Sequence, residues 1–219
     1  HIQQLVQPGV TLGGARPKAL LQIPSGERVV VKFNELDDAL DTSLVEHATM
    51  TLAAKAGMDV AVTDVLVVPQ RHRKACHALS IQRFDRLGDY RLHCQSARTL
   101  LRAVELPESY SALATVLLRL GHPDRQSAMR EDLFKRMIFN ILIDNTDDHE
   151  RNHSVRLGLD GYYELTPAYD VVPTLQNMGY QAMLVGAAGA HSSIDNALSD
   201  LNGFGIKRAR AIELVSEVA

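Results

Sequence analysis

Two acidic residues and one asparagine have the types and the spacing of a phosphoryl-transfer site. Asp147 and Asn152 are five residues apart, and Asp170 follows later in Tyr169-Asp170. In transfer of the protein-kinase type, the first Asp orients or deprotonates a hydroxyl group, and the Asn and the later Asp hold magnesium on the phosphates. Magnesium usually takes one or two hard oxygen ligands from the protein. The pattern predicts Asp147 as the base, with Asn152 and Asp170 as the metal ligands.

The first two of these residues are expected on a loop. A strongly helical pattern covers residues 128–143, and turn-forming side chains follow it at 145–148. Such side chains compete for backbone hydrogen bonds and end helices. We therefore expect Asp147 and Asn152 just beyond the C-terminus of a helix. For this pair alone, a solvated polar turn is the alternative.

A lysine in an apolar strand pattern offers a contact for phosphate. Lys32 lies in the run 29–33, whose other residues are apolar. A charge in such a strand must leave the core or meet a counter-charge or a phosphate. Glu46, on the next predicted helix, is the expected partner. A strand lysine paired with a helix glutamate positions the ATP phosphates in protein kinases, whereas an isolated lysine at a strand end is usually structural.

Two more segments are candidates for nucleotide contact. Gly13 and Gly14 open the first predicted hairpin and would let the backbone approach an anion closely, although the segment matches no standard Gly-rich phosphate motif. An ordinary Gly-rich turn is the alternative. Gln82 to Phe84 end a predicted strand, where backbone donors and acceptors could meet an adenine edge. A plain strand end with surface charges is the alternative there.

The stretch that contains Asp147 and Asn152 also fits a zinc signature. His149, Glu150 and His153 match the His-Glu-x-x-His pattern, in which the histidines bind zinc and the glutamate is the base. That hypothesis requires residues 149–153 to be helical, so that both histidines share one face. The turn formers before them and the strand-like residues after them favour a loop. The phosphoryl-transfer interpretation is therefore preferred over a zinc hydrolase.

The composition is that of an ordinary globular chain. Of its 219 residues, 46% are hydrophobic and 22% charged, and the formal net charge is −3. This balance indicates no nucleic-acid surface, and no apolar run approaches the roughly 20 residues of a membrane span. Cys76 and Cys94 form no metal or redox motif, and no signal-peptide pattern is present. A cytoplasmic protein is the resulting expectation.

The order of the predicted elements indicates an α+β fold with two lobes. A β-rich N-lobe is expected over 1–88, a helical C-lobe over 89–219, and a ligand cleft between them. The boundary is expected within 87–91. The predicted strands cover 18–23, 28–33, 60–68, 77–84, 155–156 and 162–165, and the predicted helices cover 44–56, 96–104, 111–120, 128–143, 194–201 and 206–218.

Together these segments resemble the HipA family, the Ser/Thr kinase toxins of HipBA toxin–antitoxin systems. The residues that carry the resemblance follow the family's order: Leu12-Gly-Gly-Ala-Arg-Pro-Lys-Ala19, Val31-Lys32-Phe33, Arg83-Phe84-Asp85-Arg86, Phe139-Asn-Ile-Leu-Ile143 running into Asn145-Thr-Asp-Asp-His149, Arg151-Asn152, and Leu165-Thr-Pro-Ala-Tyr-Asp170. The resemblance implies a bilobal kinase-like fold that uses ATP and Mg²⁺. It implies Asp147 as the catalytic base and Asn152 and Asp170 on magnesium. It also implies nucleotide contacts from Lys32, from the segment Gln82 to Phe84, and from His149.

The resemblance further implies partners and regulation. Characterised toxins of the family phosphorylate aminoacyl-tRNA synthetases and are bound by a helix-turn-helix antitoxin. Some are silenced by autophosphorylation of a serine in the Gly-rich loop, and Thr11 stands at the matching position here. The family's N-terminal subdomain has no counterpart in this chain, so a fragment is expected. Two alternatives stay open: a pseudokinase that binds nucleotide without transfer, and a phosphotransferase acting on a small molecule.

Overall fold

The computed structural model describes residues 16–23, 26–35, 38–68, 76–174 and 176–219. Nine strands and six helices lie within these ranges. The strands are β1 (Lys18–Gln22), β2 (Arg28–Phe33), β3 (Thr63–Val68), β4 (Cys76–Gln82), β5 (Arg86–Leu87), β6 (Tyr90–Arg91), β7 (Cys94–Ser96), β8 (Ser154–Leu157) and β9 (Tyr163–Leu165). The helices are α1 (Thr42–Lys55), α2 (Ala97–Ala103), α3 (Tyr110–Leu120), α4 (Gln126–Leu142), α5 (Ile194–Ala197) and α6 (Arg208–Val218).

The N-terminal half is a four-stranded antiparallel sheet in the order β1-β2-β4-β3, and α1 packs against β3 and β4. Side chains alternate across β2 with the period of two that a strand imposes. Val29 and Val31 are buried in a small core on one face. Val30 and Lys32 project from the other face, opposite Ile81 and Leu79 of β4. The strand pattern therefore brings Lys32 to the face of the sheet that α1 covers.

The C-terminal half is mainly helical, and its core extends into the N-terminal half. Leu133, Phe134 and Met137 of α4 are fully buried, spaced as one face of a helix requires. The same core includes Met50 of α1 and Leu79 of β4. The two halves are therefore joined by one continuous apolar core. Among the described residues, no helix has the length and apolar character needed to span a membrane.

Short strands lie where the two halves meet. The hairpin β5–β6 occupies residues 86–91, and β7, β8 and β9 form a three-stranded antiparallel sheet. The sequence predicts β8 and β9 but not β5, β6 or β7. It also overextends one helix, because α5 ends at Ala197 rather than at 201. The division into lobes at 1–88 and 89–219 stays a prediction.

Candidate active site

Lys32 joins two acidic residues from distant parts of the chain. Its Nζ lies 2.6 Å from Glu46 Oε1 and 2.7 Å from Asp170 Oδ1. Glu46 is on the buried side of α1, whereas the Asp170 side chain is 48% exposed. The Lys32–Glu46 pair that the sequence predicts is therefore present in the structure. Asp170 is a second acidic partner of Lys32. A predicted metal ligand therefore lies against the residue that is predicted to contact phosphate.

The three residues Lys32, Glu46 and Asp170, here called the Lys32 trio, carry one positive and two negative groups. Burial lowers the pKa of the Lys32 ammonium, but the nearby charges of Glu46 and Asp170 outweigh this effect and raise the pKa. Burial raises the pKa of the Glu46 carboxyl, and the attraction of Lys32 offsets only part of that effect. One ammonium group between two carboxylates leaves a net negative charge when all three are ionised. Such a cluster favours a further cation beside Asp170.

The predicted catalytic loop follows α4 directly. Asp144, two residues past the end of α4, has a left-handed backbone with φ of 55°, and the chain then turns without forming a helix at 149–153. Asp147 is exposed, and Asn152 Nδ2 donates to the Asp147 carbonyl oxygen at 3.3 Å. Asn152 N–H donates to His149 O at 2.9 Å. The two predicted residues are thus held on one compact turn, as expected.

This geometry does not support the zinc hypothesis. Residues 149–153 lack the helix that would place both histidines on one face. His153 Nε2 is instead 2.8 Å from Asp148 Oδ2 in the protein interior. Within the described ranges, no group of three or more His, Cys, Asp or Glu side chains is arranged to hold a metal ion.

The segment that carries Asp170 is fixed against the catalytic loop. Tyr169 OH donates to Arg151 O at 2.8 Å and lies 2.6 Å from Ser154 Oγ. Burial of Tyr169 raises the pKa of its hydroxyl to about 12, so it remains a donor at neutral pH. Tyr169 directly precedes Asp170, and Arg151 directly precedes Asn152. This one hydrogen bond therefore links the segments that carry the two predicted metal ligands.

An open cleft of about 330 Å³ is lined by both Lys32 and Asp170. Its apolar lining includes Val30, Ile81 and the stacked rings of Phe84 and Tyr169, whose centroids are 5.4 Å apart. Its polar lining includes Lys32 and Asp170. Small-molecule sites have volumes of this order and combine apolar walls with few polar groups. A flat apolar ring system with an anionic tail fits this distribution.

The chain is similar to known proteins over most of its length. Residues 10–219 match the family model described as the HipA-like C-terminal domain. The chain belongs to this family. A curated protein of Haemophilus influenzae, named "Putative kinase", is 27% identical over an alignment of 140 residues, and the match covers 58% of this chain and 40% of that protein.

Two solved structures share the fold of this HipA-like domain. One is HipA of Shewanella oneidensis, in a complex with HipB and its operator DNA, with a TM-score of 0.69 and 21% identity over 97% of this chain and 56% of that chain. The other is the proinflammatory kinase CtkA of Helicobacter pylori, with a TM-score of 0.60 and 11% identity over 92% and 88%. The predicted kinase-like bilobal fold is confirmed. The chain spans only about half the length of the first two relatives.

The nucleotide contacts of Gln82, Phe84 and His149 stay predictions in this HipA-like domain. Gln82 and Phe84 both line the cleft, but the Gln82 amide donates to Glu27 Oε1 at 3.0 Å. The Phe84 carbonyl already accepts from Arg156 Nη1 at 3.0 Å. His149 is half-buried beside the loop and is not among the described residues that line the cleft.

The Gly-rich segment cannot be compared with the prediction, because Thr11, Gly13 and Gly14 lie outside the described residues. Their phosphate contacts and the possible autophosphorylation of Thr11 stay predictions.

The sequence reasoning missed two residues that hold the site together. The sequence pattern indicates Tyr169 only as the neighbour of Asp170 and Asp148 only as a turn former. Burial raises the pKa of Asp148, but the charge and hydrogen bond of His153 and the hydrogen bond from Tyr110 outweigh it and hold the pKa below its ordinary value. The available signal was the spacing of Asp148 and His153, which repeats the five-residue spacing of Asp147 and Asn152 one position later.

Proposed function

We propose that this HipA-like domain is the catalytic part of an ATP- and magnesium-dependent serine/threonine protein kinase. The observation that carries the proposal is the contact of Lys32 with Glu46 and Asp170 beside a cleft that has apolar walls. A base and sugar would occupy the apolar walls, and the phosphates would lie toward Lys32. Family membership supports the same reaction class.

Asn152 and Asp170 both carry oxygen atoms of the kind that magnesium binds. Asn152 donates its Nδ2 to the Asp147 carbonyl, which leaves its side-chain oxygen as a potential ligand. Asp170 offers a half-exposed carboxylate. One carboxylate and one amide oxygen match the small number of protein ligands that magnesium takes beside phosphates. When bound, magnesium would neutralise the charge of the phosphate oxygens.

The side chains have distinct roles in the proposed transfer. Lys32 binds phosphate oxygens, and buried Glu46 holds the ammonium group toward the cleft. Asp147, exposed on its turn, accepts or orients the proton of the attacking hydroxyl group. Catalysis of this kind comes mainly from positioning and charge neutralisation. The Tyr169 contact to the catalytic loop serves that positioning.

The proposal includes the partners of the family. The solved HipA relative is bound to HipB and operator DNA, and we infer a helix-turn-helix antitoxin as the partner of this protein in a toxin–antitoxin system. The proposed acceptor is a serine or threonine of an aminoacyl-tRNA synthetase or another translation component, and of the protein itself. The net charge of −3 supports no direct nucleic-acid contact by this chain. The cytoplasm, which supplies ATP, is the proposed location.

The test is the intact mass of the full-length protein after incubation with Mg²⁺ and ATP. We expect wild type to gain phosphate and Asp147→Ala to gain none. Asp124→Ala, which removes an exposed carboxylate from the loop before α4, is the control and should behave as wild type. Near-normal transfer by Asp147→Asn would contradict the role of the base. A wild type that binds Mg²⁺-ATP but phosphorylates neither itself nor any protein acceptor would contradict the kinase proposal.

A further inference from the structure

A buried hydrogen bond spans the loop that carries the proposed base and metal ligand. His153 Nε2 lies 2.8 Å from Asp148 Oδ2, and each residue is 3% exposed. Asp148 directly follows Asp147, and His153 directly follows Asn152. The bond therefore fixes the separation of the two backbone positions next to the proposed functional residues.

The same carboxylate oxygen is anchored to the helical core. Tyr110, the first residue of α3, donates its hydroxyl to Asp148 Oδ2. Its ring meets the His153 ring edge-to-face, with centroids 5.6 Å apart. Tyr110 is fully buried, and its N–H donates to Leu184 O at 3.2 Å. A buried carboxylate is tolerated only when it is hydrogen-bonded, so these donors tie the loop to a fixed point in the core.

A small polar cavity adjoins this network. Its volume is about 10 Å³, and its lining includes Arg136, Asp148, Asn152 and His153. Among the described residues, Arg136 Nε and Nη1 and His153 Nδ1 are buried without a hydrogen-bond partner. A cavity of about 10–15 Å³ holds one water molecule, which needs two to four polar partners. The guanidinium group and the imidazole nitrogen supply such partners from two different elements.

We propose that Asp148, His153 and Tyr110 are positioning residues that set the separation of the proposed base and metal ligand. One water molecule in the cavity completes the network by accepting from the Arg136 guanidinium group and bonding to His153 Nδ1. The inference rests on the proposed function, because that separation matters only if both residues act on one phosphate group. None of the three side chains is proposed to touch substrate.

Tyr110→Phe in the full-length protein is the first test, because it removes one hydroxyl group and keeps the buried ring. We expect kcat for phosphate transfer to fall about 10- to 100-fold. This is the usual loss when a residue that orients a metal ligand, without binding the metal itself, is replaced. The Mg²⁺ concentration for half-maximal rate should rise, whereas the KM for ATP, which the cleft sets, should change less than about twofold. Asp148→Asn should show the same pattern.

A matched control separates positioning from loss of stability. Ser109 caps α3 next to Tyr110, and its Oγ accepts from Ala112 N at 3.0 Å. Ser109→Ala should lower the Tm and leave the Mg²⁺ dependence unchanged. All variants are compared at a temperature at which circular dichroism shows them folded. A Tyr110→Phe protein with wild-type kcat and Mg²⁺ dependence, or a Ser109→Ala protein with the same defects, would overturn the inference.

Crystal structures of wild type and Tyr110→Phe give a readout that is independent of activity. We expect one ordered water molecule in the wild-type cavity and an altered Asp147–Asn152 separation in the variant. A dry cavity would overturn the water site, and an unchanged loop would overturn the positioning role. If the wild type neither binds Mg²⁺-ATP nor transfers phosphate, the proposed function fails, and the crystal structures still decide whether the network sets the loop.

Discussion

Lys32 Nζ donates to Asp170 Oδ1 at 2.7 Å, although 138 residues separate the two in the sequence. The proposal assigns these groups to phosphate and to magnesium. Their contact joins the proposed phosphate-binding group directly to a proposed metal ligand. An ammonium group and a metal ion compete for the same carboxylate, so we expect Mg²⁺-ATP to draw Lys32 toward phosphate and free Asp170 for the metal. Glu46 remains in contact with Lys32 because it is buried beneath it.

Lys32→Met should destabilise the fold as well as abolish transfer. The substitution leaves the buried Glu46 carboxylate without its 2.6 Å partner. Breaking a buried ion pair from one side costs about 3–5 kcal/mol, and we expect roughly 3 kcal/mol because the Lys32 side chain is 14% exposed. Urea unfolding of variant and wild type measures the difference. An unchanged free energy of unfolding would show that Glu46 does not depend on Lys32.

The double variant Lys32→Met/Glu46→Leu should separate stability from function. Replacing a whole buried ion pair with apolar side chains is often neutral or stabilising, so the free energy of unfolding should return to near the wild-type value. Phosphate transfer should stay absent, because no ammonium group faces the cleft. A double variant that recovers activity would contradict the phosphate-binding role.

Asp170→Asn should lower activity with little effect on stability, unlike Lys32→Met. Asp170 is 48% exposed, and an ion pair at such a site contributes at most about 1 kcal/mol. The Tm should therefore change little. Transfer should fall at least about 100-fold, the scale for losing one electrostatic contact in a transition state. A strong fall in stability with preserved activity would show that the Asp170 contact is structural rather than functional.

The sequence predicts most of the longer elements and the Lys32–Glu46 pair because both depend on local patterns. The apolar pattern of β2 makes the charged Lys32 stand out. The next helix, α1, has one acidic residue, Glu46, on its buried side. The order Asp147, Asn152, Asp170 is also visible without a structure. The sequence does not predict the Lys32–Asp170 contact, since that contact depends on how the segment after β9 packs beside Val60, ahead of β3.

The errors have equally specific causes. β7 has the polar sequence Cys94-Gln-Ser96, and it is a strand only because it pairs with β8. Helix α5 stops early where Ser199 N and Ser199 Oγ both donate to Asn196 O, at 3.0 Å and 2.6 Å, in place of the next helical hydrogen bond. Asp148 looks like one more turn former, and its burial depends on a hydroxyl group 38 residues away. Such long-range contacts leave no periodic signal.

Acid should weaken the junction of the two halves through Asp85. Burial raises the pKa of this carboxyl, but the hydrogen bonds from Arg83, one of them 2.7 Å, and the nearby arginine charges outweigh it and hold the pKa below its ordinary value. A lowered folded-state pKa stabilises the fold above the unfolded value of about 3.9 and loses that effect as the pH falls through the folded value.

Asp85→Asn should therefore lower the free energy of unfolding at pH 7 by about 1–3 kcal/mol. The difference from wild type should shrink below about pH 4. Urea unfolding between pH 3 and pH 7 measures it, with Asp124→Asn as an exposed control. A difference that stays constant over this range would contradict the role of the ionised carboxylate.

Gln82, the last residue of β4, and Phe84, two residues later, should affect nucleotide affinity unequally. Phe84 stacks on Tyr169 in the cleft wall, whereas the Gln82 amide is held by Glu27. Phe84→Ala should weaken ATP binding about tenfold, or ~1.4 kcal/mol. Gln82→Ala should weaken it less than about twofold. Equal losses in calorimetric titrations would place the base elsewhere in the cleft.

Calorimetric titration of ATP into the full-length protein, with and without Mg²⁺, tests the central claim most directly, because it needs no acceptor substrate. We predict that Mg²⁺ strengthens ATP binding to wild type and that Asp170→Asn loses this gain while it keeps the Mg²⁺-independent affinity. ATP that fails to bind wild type at saturating Mg²⁺, or an Asp170→Asn protein that keeps the whole gain, would contradict the assignment of the cleft as a magnesium–nucleotide site.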